Sequence, residues 1–198
     1  MTRKSGSEQR MQIKKILIHE NYNRRHLLND IALLQLTQPL ELRPFVRTVC
    51  LPEKEEGDLA IRDDHGIATG WGVTKALKVG EEPTKEDLSN VLKHASFKIQ
   101  SDELCQSSTQ YPVNSTVTFC AGDGLGKSDT CRGDSGGAFV LEAQRGKVKR
   151  WAWVAAGLVS WGEGCAQEKR YGYYTRVYPF IDWIKKKMKE NSAKDDKE

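Results

Sequence analysis

Eight short segments rich in β-branched, aromatic and aliphatic residues recur along this chain, separated by clusters of Gly, Pro, Asn and Asp. They are Ile13 to Ile18, Ile31 to Leu36, Gly66 to Trp71, Ala95 to Ile99, Val117 to Cys120, Ala138 to Leu141, Trp151 to Trp161 and Tyr173 to Val177. Short strands punctuated by turn residues are the mark of an all-β barrel or sandwich. In the fourth, Ala95, Phe97 and Ile99 alternate with His94, Ser96 and Lys98, the period-2 pattern of a half-buried strand. Only the end of the chain reads as helix. From Val177 onward, Ile181, Ile184 and Met188 recur at helical spacing with Phe180 and Trp183 beside them, so this face packs on the core while Lys185, Lys186, Lys187 and Lys189 stay solvated. Residues 191–198, nearly free of apolar side chains, are expected to form a disordered tail. Glu53 to Asp64 and Thr74 to Asn90 read as loops, and Ala143 to Arg150 as the tip of a hairpin.

Composition narrows the function. The 31 basic and 27 acidic side chains are intermixed and leave a net charge of +4, which argues against a dedicated nucleic-acid binder. No apolar run reaches the ~18 residues that a membrane-spanning helix requires. The terminal lysines are followed by Asp195, Asp196 and Glu198, which weakens a polybasic anchor. Residues Met1 to Arg10 carry no secretory signal as written. The five cysteines, Cys50, Cys105, Cys120, Cys131 and Cys165, include no CxxC pair, so disulfides in an oxidising compartment are a better reading than a zinc site, although spacing alone leaves the pairing open. The sequon Asn114-Ser115-Thr116 suits a secreted protein and marks Asn114 as a glycosylation candidate.

The strongest chemical signal is Asp129-Thr130-Cys131-Arg132-Gly133-Asp134-Ser135-Gly136-Gly137. A serine becomes a nucleophile when a base takes its proton and donors stabilise the oxyanion that forms, and glycines around it leave backbone N–H groups free for that purpose. The segments Ser160 to Cys165, Tyr171 to Thr175, Asn29 to Leu34, Val49 to Pro52, Thr69 to Gly72 and Phe119 to Gly122 surround it in order. Together these blocks resemble the chymotrypsin/trypsin-like serine proteases over nearly the whole chain. Among them, Gly136 to Val140, Ala156 to Trp161 and Asp182 to Ile184 are most similar to the multidomain proteases of complement, the lectin pathway and clotting.

The resemblance implies a double Greek-key β-barrel closed by a C-terminal helix. It makes Ser135 the nucleophile, the N–H groups of Gly133 and Ser135 the oxyanion hole, and Asp30 the carboxylate that orients the catalytic imidazole. Asp134 would pair with the amino terminus freed by zymogen cleavage. Asp129 would lie at the base of the primary specificity pocket, walled by Gly162 and Gly172, where an unpaired charge needs the Arg or Lys of a substrate. Ser160, Trp161 and Gly162 would hold substrate backbone as an added strand. The bridges implied are Cys105 with Cys120 and Cys131 with Cys165, each worth roughly 3 to 4 kcal/mol on the chain-entropy model. Cys50 would tie the domain to an upstream regulatory chain. Protein substrates and serpin-type inhibitors are the implied partners, and secretion the implied location. No cofactor is implied, except that an aromatic such as Tyr171 accompanies a sodium site in clotting and complement enzymes, the alternative being that Tyr171 simply packs.

The sequence departs from that family in one respect. The Ala-Ala-His-Cys block that carries the general base is absent, as is an Ile-Val-Gly-Gly start, and His19, His26, His65 and His94 fit no catalytic position. The expectation is therefore a protease domain over residues 1–190 whose first barrel is incomplete at its amino end, inactive and unstable by itself. The alternative is a non-catalytic, haptoglobin-like binding module or truncated pseudoprotease.

Overall fold

The computed structural model describes residues 8–61, 63–146 and 148–195. Strands β1 (Ile13–Ile18) and β2 (Ala32–Leu36) pair antiparallel in a sheet of their own. Strands β3 (His65–Gly70), β4 (Lys93–Lys98), β5 (Thr118–Ala121), β6 (Ala138–Arg145), β7 (Arg150–Trp161) and β8 (Gly172–Arg176) form a second sheet in the order β4-β3-β6-β7-β8-β5. Every pair is antiparallel, which permits the hairpin β6–β7 and a sheet that curls without helical crossovers. The sheet's two edges meet where Ile99 bridges Ala121, with Gln100 N–H donating to Cys120 O and Gly122 N–H to Lys98 O, both at 3.0 Å. Closure satisfies edge groups that would otherwise stay unpaired.

Inside that curl, Phe97, Ile99, Phe119, Phe139, Leu141, Val159 and Tyr174 form the main core, each with less than a tenth of its surface exposed. Phe119 stacks on Tyr174 and meets Phe139 edge-on, with centroids 5.2 Å apart in both contacts. The two-stranded sheet has no such cover on its outer face. Ile16, Ile18 and Leu34 are each more than half exposed there, while Leu33, on the other face, packs with Ile31 against Val177, Phe180, Ile181 and Ile184. One barrel is thus complete and the first is represented by a single hairpin, in keeping with the fold class read from the sequence.

The C-terminal helix differs from expectation in register and in length. Helix α2 (Ile181–Asp195) buries Ile181 and Ile184, but Met188 is exposed and Lys187 is half-buried. Its docked face continues through Lys187 and Asn191, the next helical steps after Ile184. Lys187 pairs with Glu20, whose carboxyl is held down at about 2 chiefly by that ammonium. The Asn191 side chain donates to Lys187 O and accepts from Lys15 Nζ, both at 2.8 Å. These anchors carry the helix to Asp195, so the tail expected from residue 191 is helical over its first five residues; residues 196–198 lie outside the described residues.

A short helix that the strand-dominated reading missed, α1 (Asp102–Ser107), follows β4. Its signal was present locally. Ser101 caps it by accepting from Leu104 N–H at 3.2 Å, and Asp102 and Glu103 sit in the first turn. Replacing Ser101 with alanine is expected to cost about 1 kcal/mol, measured as a lower urea midpoint at unchanged slope.

Candidate active site

The loop between Asp129 and Ala138 is held from both ends. Cys131 is bonded to Cys165 and Cys105 to Cys120, with Cα atoms 5.5 and 5.6 Å apart. Both bridges implied by the resemblance are thus present. On the other side, Gly136 N–H donates to Val159 O at 2.9 Å and Val159 N–H to Gly137 O at 2.8 Å, sewing the loop to β7. Between these supports the chain turns sharply at Gly133, whose φ of 99° is open to glycine and strained for any other residue. Among the described residues, no acceptor takes the N–H of Gly133 or of Ser135. Two backbone donors without partners, one on the exposed Ser135 itself and one two residues before it, are groups of the kind that stabilise an oxyanion.

Asp134 points the other way. Its carboxylate accepts from Gly72 N–H at 2.7 Å and from Cys131 N–H at 3.0 Å. A Cβ on Gly70 would fall 1.8 Å from Asp134 Oδ1, so the Gly70–Gly72 turn is a cradle shaped to that carboxylate.

Asp30 sits at the end of the loop that joins β1 to β2. Ser160 Oγ donates to its Oδ2 at 2.6 Å, and Thr175 Oγ1 to its carbonyl at 3.0 Å. The Ser160 contact has a structural cause. Register slips between Val159 and Trp161 against β8, and such a bulge re-aims the side chain at the irregularity. Ser160 thus serves Asp30 with its hydroxyl, a use of that residue the motif reading did not foresee. None of the four histidines hydrogen-bonds to Asp30 among the described residues. His19 lies instead between Phe180 and Trp183, with centroids 5.1 and 5.0 Å away, and His26, His65 and His94 are exposed.

Ser135 lines a cleft of about 370 Å³ together with Ser160, Trp161, Gly162, Leu27 and Tyr111. Leu27 and Tyr111 belong to no motif, and nothing local in the sequence marks them. Trp161 is fixed by stacking on Tyr173 at 3.8 Å, and the Tyr111 ring meets it edge-on at 6.1 Å. Asp129 opens instead on a separate hollow of about 390 Å³ that Asp134 and His94 also line. Thr130, Cys131 and Cys165 form the wall shared by the two. The hollow beside Asp129 and the cleft beside Ser135 thus adjoin along these three residues.

Asp129 is the electrostatic anomaly of the site. Its Oδ2 accepts from Ala166 N–H at 3.1 Å, but Oδ1 is fully shielded and has no hydrogen-bond partner, the sole such buried side-chain atom among the described residues. Loss of solvation pushes its carboxyl up to about 6. Gly172 is buried directly against it: a Cβ there would stand 3.0 Å from Oδ1 and 3.1 Å from the Tyr174 hydroxyl. Gly162, by contrast, is exposed on the cleft that holds Ser135.

Three further candidates are placed more simply. Tyr171 packs its ring against the Gly122–Gly124 backbone. Among the described residues no three His, Cys, Asp or Glu side chains converge as metal ligands. Cys50 is a half-buried free thiol whose backbone extends β7 in parallel, donating to Trp153 O and accepting from Ala155 N–H. Asn114 is exposed in a turn closed by its own Oδ1, which accepts from Thr116 N–H and Oγ1.

Comparison with known proteins places these features in a wider setting. The family model described as Trypsin matches residues 1–184. Vitamin K-dependent protein C of Oryctolagus cuniculus is 33% identical over 195 residues, which is 98% of this chain and 40% of that protein. The chain therefore spans about 40% of the length of the curated relative it matches.

Proposed function

Because the chain belongs to the trypsin family of serine proteases, we propose that its site is built to cleave proteins after Arg or Lys by way of an acyl-enzyme. The observation that carries the specificity is the shielded, unpartnered Oδ1 of Asp129. An ionised carboxylate without a partner in a dry site is costly, and a substrate's guanidinium or ammonium relieves that cost. Ser135 is the nucleophile, the free N–H groups of Gly133 and Ser135 receive the oxyanion, and Asp30, held by Ser160 Oγ, orients an imidazole.

None of these residues serves as general base, since Asp30 accepts from Ser160 and no histidine bonds to it among the described residues. The 198-residue chain by itself is therefore expected to turn over on the order of 10⁶-fold more slowly than a complete triad. Labelling of Ser135 by a fluorophosphonate at the rate of a complete triad would overturn that assignment. The same absence favours a second reading, a binding module that engages proteins without cutting them. The two disulfides support an extracellular setting, in which Asn114 carries a glycan and Cys50 bonds an upstream chain. Among the described residues no helix is long and apolar enough to cross a membrane.

The specificity claim is tested with a fluorescent benzamidine. Its fluorescence should rise saturably on the 198-residue chain, and an arginine peptide should displace it where a phenylalanine peptide does not. Absence of binding, or equal displacement by the two peptides, sinks the role given to Asp129.

A further inference from the structure

We propose that the cleft selects substrates carrying acidic residues on the amino-terminal side of the scissile bond, through Arg24 and Arg25, a preference that rests on the reading of Ser135 and Asp129 above. The two arginines belong to a tight turn closed by reciprocal backbone bonds between Asn23 and Leu28 at 2.9 and 3.2 Å. Asn23 Oδ1 braces the turn further by accepting from Arg25 N–H at 3.0 Å and His26 N–H at 3.1 Å. Leu27, two residues after Arg25, lines the cleft that holds Ser135, so the turn forms part of its rim. Both guanidinium groups are exposed, and neither makes an ion pair among the described residues.

The remaining charges around the cleft do not cancel them. Glu163 pairs with Arg170 at 2.6 Å, Glu82 pairs with Arg132, and Glu81 faces Lys75 at 3.5 Å. Lys78, which lines the cleft, adds a further positive charge. The charges around this cleft are therefore net positive. A substrate strand laid along Ser160–Gly162 with its basic side chain directed to Asp129 would carry its preceding residues past Trp161 and Leu27, which face the same cleft. Leu27 belongs to the turn that carries Arg24 and Arg25, so the two exposed guanidinium groups stand on the segment that edges this part of the cleft. Charges arranged in this way attract a complementary peptide at long range and repel a basic one.

The test uses acetylated tetrapeptides ending in arginine, with Asp-Glu-Gly, Asn-Gln-Gly or Lys-Lys-Gly before it, displacing the fluorescent benzamidine from the 198-residue chain. At low salt the acidic peptide should bind about three- to tenfold more tightly than the neutral one, the range that two exposed ion pairs supply. The advantage should vanish at 1 M salt, where the Debye length is about 3 Å. In Arg24→Glu/Arg25→Glu the order should invert, with the Lys-Lys peptide tightest. Lys185→Glu/Lys189→Glu changes the net charge by the same amount on the exposed side of α2 and should leave the order intact. Equal binding of acidic and neutral peptides by the unaltered chain, or loss of the preference in the α2 variant, overturns the proposal. If no arginine peptide binds at all, the specificity reading of Asp129 falls first and this proposal with it.

Discussion

Asparagine in place of Asp129 is expected to stabilise the fold and at the same time to abolish binding of a basic ligand. The carboxyl titrates at about 6 in the native state against 3.8 ordinarily, because burial disfavours its charge. Below the ordinary value it is protonated in both folded and unfolded chains and costs nothing. As the pH rises from 3.8 to about 6 the unfolded chain loses its proton first, so native stability falls across this window. Above about 6 the full cost is in place, on the order of 3 kcal/mol at one pKa unit per 1.36 kcal/mol. Asp129→Asn removes that charge, and its amide oxygen retains the bond from Ala166. Urea unfolding at pH 7 should show the variant more stable by a substantial part of that figure, and the difference should disappear at pH 3. A variant equal to or less stable than the parent at pH 7 would contradict the charge burial. Benzamidine binding, in contrast, should fall by more than a hundredfold in the same variant, since removing one partner of a buried pair typically costs 3 to 5 kcal/mol. Stability gained where recognition is lost is the usual trade at a functional site.

Alanine at Phe139 is expected to cost about 3 to 5 kcal/mol, the range for emptying a buried aromatic site. The ring is fully buried between Phe119 and Tyr174, with the Tyr174 centroid 4.8 Å away. It also lies so close to Gly66 that a Cβ there would stand 2.0 Å from Phe139 Cε1. Gly66→Ala should therefore destabilise the parent through overpacking, yet cost much less in a Phe139→Leu background, where the shorter side chain yields the space. A double-mutant cycle measures this coupling directly. Additive effects would mean that the contact is not the one drawn here. The consequence reaches the site because Phe139 is the second residue of β6, two positions after Gly137, so a loosened ring loosens the end of the loop that carries Ser135.

These effects mark the boundary between what is written locally and what is not. The strand segments were legible because alternation and turn residues act over a few positions, and the structure places strands at all eight. Ser101 and the acidic turn after it were equally local, and α1 was overlooked because six residues are too few to show a period. At the C-terminus the apolar spacing marked α2 but ran its pattern from Val177, whereas the helix begins at Ile181 after a 3₁₀ turn over Tyr178–Phe180. Its docked register through Lys187 and Asn191 depended on Glu20 and Lys15, more than 160 residues away, which no window of the helix contains.

The site divides in the same manner. Sequence by itself determined the family, the glycine-rich loop that carries Ser135, and through the resemblance the two disulfide pairings, since each is written in contiguous residues and their order. Only the tertiary structure decided that Ser160 donates to Asp30 across 130 positions, that one oxygen of Asp129 is shielded without a partner, and that Leu27 reaches the cleft lined by Ser135. The physical reason is that desolvation, an orphaned oxygen and a positive rim are properties of what closes around a residue. A chain acquires them when its strands close into a sheet and bring distant segments together.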